Sequence, residues 1–218
     1  MSIVRLTSLP GNTFFRLSVP PYNAADAAVP VGIQGPFWPR IIDNPVGDNG
    51  GAFGDVGDAR YLWYRNDVDP AKVATGETVF FARQVNLQFA LSENSLITIN
   101  VRIATDNAFQ ARLRVLLDGV VVLFDFFDGS TSQNTIDSTS PFNWQKVYNF
   151  TRELFLLQTI GVLALQFEVK AVNYAQAGGS PLTNPAGVIY SIEIGGLAVV
   201  GGINKIENIP PNITNPLI

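Results

Sequence analysis

The 218-residue chain contains neither cysteine nor histidine. Without cysteine there is no disulfide framework, no thiolate nucleophile and no thiolate-held metal. Without histidine the usual general base, the commonest transition-metal ligand and every Ser-His or Cys-His couple are gone. Charge is scarce too, at 15% of residues against about 25% in ordinary globular chains. Lysine occurs only at Lys72, Lys146, Lys170 and Lys205, and the net charge is -4. No basic block is available to neutralise a run of phosphates, so nucleic acid and anionic membrane are not expected as partners. Long apolar runs are missing as well. The richest, residues 154–167, is interrupted by Gln158, Thr159 and Gly161 and is too short to span a bilayer, so membrane insertion is not expected. Residues 1–10 hold no apolar run of signal-peptide length. The expectation is a soluble chain without a classical secretion signal, which would reach a cell, spore or virion surface only by another route.

What is present suits one large β domain. Apolar residues make up 47% of the chain, enough for a core in a protein that can bury roughly 70% of its unfolded surface. Val85, Leu87, Phe89 and Leu91 alternate with Asn86, Gln88 and Ala90, the period of a half-buried strand. The same alternation recurs at Ile97–Ile103, Leu113–Leu117, Leu163–Lys170 and Val188–Ile194. Asp118-Gly119 stands between two such patterns and predicts a tight hairpin turn. No window shows a capped helical period, although residues 149–157 leave room for a helical turn or two. Short strands separated by Gly, Asn, Asp, Ser and Pro clusters predict an all-β, two-sheet antiparallel sandwich.

The ends read differently. Seven prolines break up residues 1–45, and residues 43–58 form a Gly- and Asp-rich loop. We therefore divide the chain into an extended N-terminal segment (1–58) packing on or leaving the domain, a sandwich (59–200) and an extended C-terminal tail (201–218).

Between residues 59 and 196 an ordered set of features resembles the galactose-binding-like β-sandwich family. It comprises Trp63-Tyr64, then Phe80-Phe81-Ala82-Arg83, then Ile103-Ala104-Thr105-Asp106-Asn107, then Leu116-Leu117-Asp118-Gly119-Val120. Trp144 follows, with Leu165–Asn173 and finally Asn184-Pro185-Ala186-Gly187-Val188-Ile189-Tyr190. Thr105 and Asp118 depart from the family's usual Ala and Asn. The resemblance implies a jelly roll that binds carbohydrate or another surface ligand through loops at one end, in some members with a structural calcium, while others act as scaffolds.

Candidate ligand contacts are Trp63, Tyr64 and Trp144, whose flat rings match the apolar face of a sugar, with Asp106 and Asn107 to hold hydroxyls. Trp38 belongs to the same set of rings. The competing reading places the aromatics in the core and the Asp-Asn pair in a turn. Asp43, Asp48, Asp55 and Asp58 offer the hard oxygens Ca²⁺ prefers, although the spacing is not that of an EF-hand and such loops also serve as plain turns. No other cofactor is expected. Catalytic signatures are absent, and only a paired-carboxylate glycosidase survives as a distant third option. Its acids, Glu153, Glu168 and Glu193, fall on strand faces expected to be solvated. The leading expectation is thus a non-catalytic carbohydrate-binding or adhesive module of a surface structure. The alternative is a structural subunit that assembles with copies of itself through its terminal arms.

Overall fold

A computed structural model describes residues 2–18, 21–32, 59–129, 146–213 and 217. Among the described residues twelve strands run in the order β1 (Ser2–Thr7), β2 (Phe14–Arg16), β3 (Val29–Pro30), β4 (Leu62–Trp63), β5 (Glu77–Ala90), β6 (Ser95–Asp106), β7 (Ala108–Leu117), β8 (Val120–Asp128), β9 (Tyr148–Leu156), β10 (Ile160–Asn173), β11 (Gly187–Leu197) and β12 (Asn204–Ile209). One sheet has the order β3-β4-β11-β6-β9, with β1 also paired to β11. The other has the order β12-β5-β10-β7-β8, with β2 also paired to β5. From β4 to β11 the eight strands form the quartets β4-β11-β6-β9 and β5-β10-β7-β8, which is the double Greek-key path of a jelly roll. The all-β sandwich expected from the alternating patterns is the observed architecture.

The alternation explains why the layers close. Leu163, Leu165, Phe167 and Val169 on β10 turn inward to meet Ile97, Ile99, Val101 and Ile103 on β6, and all eight are at most 1% exposed. Each such side chain contributes about 1.5–3 kcal/mol by leaving water. The predicted hairpin is present: Leu117 pairs with Val120, and Asp118 and Gly119 both adopt positive φ, as a type I′ turn requires. Residues 149–157 correct the expectation of a helical turn. β9 pairs with β6 along nearly its whole length, with Phe150, Arg152 and Leu154 half-buried and Asn149, Thr151 and Glu153 exposed. An edge strand buries only one face, so its apolar signal is weak enough to pass for a turn.

The described parts of the terminal segments take places on this chain's own sandwich. β1 and β2 join opposite sheets, and β12 pairs with β5. Beside them, Phe14, Tyr22 and Leu217 settle on Phe80 and Ala82 to make a small second core on the outer face of the β5–β10 sheet. This cover overturns the expectation that Glu168 is solvated. Glu168 points outward from β10 yet is 1% exposed. Its carboxylate accepts hydrogen bonds from the Tyr22 hydroxyl at 2.7 Å, an Arg112 Nη at 2.6 Å and the Leu217 backbone N–H at 2.9 Å, with Arg16 at 3.4 Å. Arg16 also lies 3.9 Å from the Phe80 ring centroid. Glu193 instead pairs with Arg5 at 3.7 Å at the surface, and Glu153 is exposed. The three acids do not converge.

Candidate binding site

The end of the sandwich where β5 begins and β6 and β10 finish carries a cavity of about 490 Å³. Its wall is the connection from β4 to β5, residues 64–76, whose local chemistry sets its shape. Asp69 turns the chain with an Oδ1 that accepts the Ala71 N–H at 3.0 Å, and the Lys72 and Gly76 N–H groups close further turns at 2.7 Å each onto Asp69 and Lys72 carbonyls. Gly76, at φ +72°, takes the left-handed conformation that ends this loop and delivers Glu77 to the first position of β5. Val68 and Val73, buried in the core, anchor the loop between these polar residues.

Glu77 is the centre of the site. One carboxylate oxygen accepts the Trp63 indole N–H at 2.8 Å and the other accepts the Tyr64 hydroxyl at 3.0 Å. Burial pushes the Glu77 carboxyl above its usual range, against the lowering effect of those two donors. Burial, followed by the Glu77 charge, holds the Tyr64 phenol up at about 12, so it stays protonated and keeps donating. Around this pair the cavity is lined by Leu17, Asp69, Lys72, Thr75 and Thr78. Asp69 faces Arg65 at 3.7 Å, whereas Lys72 has no ion pair among the described residues. Fixed acceptor oxygens, an ammonium, threonine hydroxyls and a tyrosine ring can bind a polyhydroxylated ligand, since each carboxylate oxygen retains a lone pair beyond its protein donor.

The structure distributes the sequence candidates unevenly. Tyr64 lines the cavity. Trp63 is fully buried, packed 5.4 Å from Phe81 by ring centroids, and serves the site only by holding Glu77. Asp106 and Asn107 lie at the same end but are 4% and 3% exposed. Asn107 donates its side-chain amide to Asp106, gives its backbone N–H to the Val172 carbonyl at 2.7 Å and accepts the Tyr174 N–H at 2.6 Å. This pair fastens β6 to the end of β10. Trp38, Trp144, Asp43, Asp48, Asp55 and Asp58 lie outside the described residues. Among the described residues no three acidic side chains converge as metal ligands, and no helix is long and apolar enough to cross a membrane. Sequence reasoning missed Glu77, Asp69 and Lys72. The available signal was a turn-forming Asp69-Pro70 closely followed by a Gly-Glu pair at a strand start.

No protein-family model matches the chain, and no curated protein matches its sequence. Among solved structures it is similar to a family 35 carbohydrate-binding module from Clostridium thermocellum, with 10% identity, a TM-score of 0.32 and coverage of 88% of this chain and 97% of that one. It is also similar to CBM35 from Cellvibrio japonicus Abf62, at 12% identity and a TM-score of 0.29, covering 92% of this chain and 96% of that one. The insecticidal delta-endotoxin Cry8Ea1 from Bacillus thuringiensis gives 12% identity and a TM-score of 0.32 over 68% of this chain and 21% of that one. The jelly-roll assignment itself rests on the strand order.

Proposed function

We propose that the chain is a non-catalytic, carbohydrate-binding adhesive module of a surface structure, with its ligand seated in the cavity beside Tyr64 and Glu77. The observation that carries this reading is the Glu77 carboxylate. It is half-buried and tied by Trp63 and Tyr64 at the wall of an open cavity, so its acceptors are aimed before any ligand arrives. Sugar hydroxyls need such acceptors, the Tyr64 ring offers an apolar face, and Lys72 adds donors from the rim. No histidine or cysteine is present to drive group transfer, and Glu77 already accepts two protein donors, which favours holding over catalysis. A glycan array followed by calorimetry on the best hit tests this. Tyr64→Ala and Lys72→Ala should each weaken binding about tenfold, with the unfolding temperature of Lys72→Ala unchanged. Binding that survives both substitutions intact places the ligand elsewhere. The array is run with Ca²⁺ and with EDTA, because Asp43, Asp48, Asp55 and Asp58 supply the oxygen ligands that calcium takes.

A further inference from the structure

The opposite end of the sandwich is built from four connections, residues 90–96, 116–121, 156–162 and 197–203. These are joined to one another by Leu91 N–H to Thr159 O, Gln158 N–H to Asn94 Oδ1, Asp118 N–H to Val162 O and Val200 N–H to Ala90 O. Their only charged residues are Glu93 and Asp118, and the Asp118 carboxylate already accepts the Val162 N–H at 2.9 Å. Beside the exposed Ser92, Glu93, Asn94, Asp118 and Gln158, this end shows six large apolar side chains to water. Leu96, Val120, Phe155, Leu157, Ile160 and Val200 are 54%, 67%, 59%, 67%, 82% and 61% exposed. Leu96 and Phe155 face each other as a cross-strand pair on β6 and β9, and Leu157 and Ile160 flank the turn that carries the chain from β9 to β10.

We infer that this apolar end docks a second copy of the chain, end to end. Taking about 150–250 Å² for an aromatic side chain and somewhat less for aliphatic ones, the six residues present on the order of 600 Å². That is the top of the range for patches on monomers, about 300–600 Å². With the surrounding Ser92, Asn94, Gln158 and Thr159 it approaches the ~800 Å² per partner of a stable interface. A mixture of large apolar side chains with amides and hydroxyls, and with few charges, is also the composition of such interfaces. Apolar groups are their own complement, so a two-fold contact can lay these six side chains against their counterparts without setting like charges against each other. The lack of any Lys or Arg in the four connections removes the attraction an anionic lipid surface would exert. The contact leaves the cavity beside Glu77, at the far end, open in both copies.

The test is sedimentation equilibrium of the full chain from low micromolar to millimolar concentration, with light scattering as a second readout. The wild type is expected to form dimers, and Leu157→Asp with Ile160→Asp to weaken self-association about a hundredfold. Phe126→Asp, at an exposed site on the outer face of the β5–β10 sheet, should leave association unchanged. Because the chain has no cysteine, Gln158→Cys supplies a second measurement that needs no loss of contact. A spin label there should report a short distance between copies. A wild type that stays monomeric at millimolar concentration, or a double variant that associates as the wild type does, overturns the inference. So does flotation of a monomer with phosphatidylcholine vesicles.

Discussion

Replacing Glu168 by alanine tests the buried cluster beneath the terminal segments. The carboxylate is 1% exposed and sits between Arg16 and Arg112, whose side chains are each 5% exposed. Removing it takes from two buried guanidinium groups the carboxylate they share, and takes from the Tyr22 hydroxyl and the Leu217 N–H the acceptor they use. Breaking a buried ion pair from one side costs about 3–5 kcal/mol. For a chain of this size that corresponds to a fall in unfolding temperature of roughly 6–20 °C. Urea and thermal unfolding followed by circular dichroism measure the loss, and limited proteolysis locates it. Arg16, Tyr22 and Leu217 all reach β10 through this one carboxylate, so cleavage of residues 14–22 and of the 209–217 region should accelerate together. A loss below about 1 kcal/mol, the level of a solvated surface pair, would refute the burial argument. So would acceleration at only one of the two segments. Changing Glu168, Arg16 and Arg112 together to apolar residues should recover part of the loss, because the desolvation of the two guanidinium groups is then removed as well.

The Glu77 carboxyl gives a pH dependence of definite sign. Its folded pKa lies above the unfolded value of 4.5, so the folded chain holds that proton more tightly. The resulting stabilisation is complete below the unfolded value and is lost as pH rises through the folded one. The stability of the wild type relative to Glu77→Gln should therefore increase on acidification across that window, and a difference that does not change with pH in urea titrations contradicts the assignment. Gly119 occupies φ +84° in the β7–β8 hairpin, with no atom near the position of an added Cβ. Gly119→Val should then destabilise through backbone strain alone, by about 1–2 kcal/mol in chemical denaturation, and no measurable change would remove the turn type from the argument.

How far these features can be read from residues depends on their range. Alternation along β5, β6, β7, β10 and β11 is local, and so is the Asp118-Gly119 turn, and both are legible. Exposure of an outward-facing residue is not local. Glu168 obeys the strand period and still ends up buried, because Arg16, Tyr22 and Leu217 cover it from 152, 146 and 49 positions away along the chain. Trp63 shows the limit for aromatics: a ring suited to stacking on a sugar is equally suited to a core, and neighbouring sequence does not separate the two. Glu77 looks like an ordinary polar strand start until β4 brings the Trp63 and Tyr64 donors alongside it. The cavity wall, residues 64–76, has no periodicity to read, since its shape follows from side-chain to backbone bonds around Asp69.

The strand order also governs how quickly the chain can find its fold. Among the described strands only β7 and β8 are both paired and joined by a tight turn; β5 must find β10, β6 must find β11, and β1 must reach β11 across most of the chain. Every such closure gives up chain entropy before any contact offsets it, and sandwiches of this kind fold in milliseconds to seconds where helical bundles need microseconds. The β7–β8 hairpin is then the earliest piece of sheet that can persist. β10 has to be in place before one sheet can form and β11 before the other, so a newly made chain keeps its apolar strands in water until late in folding.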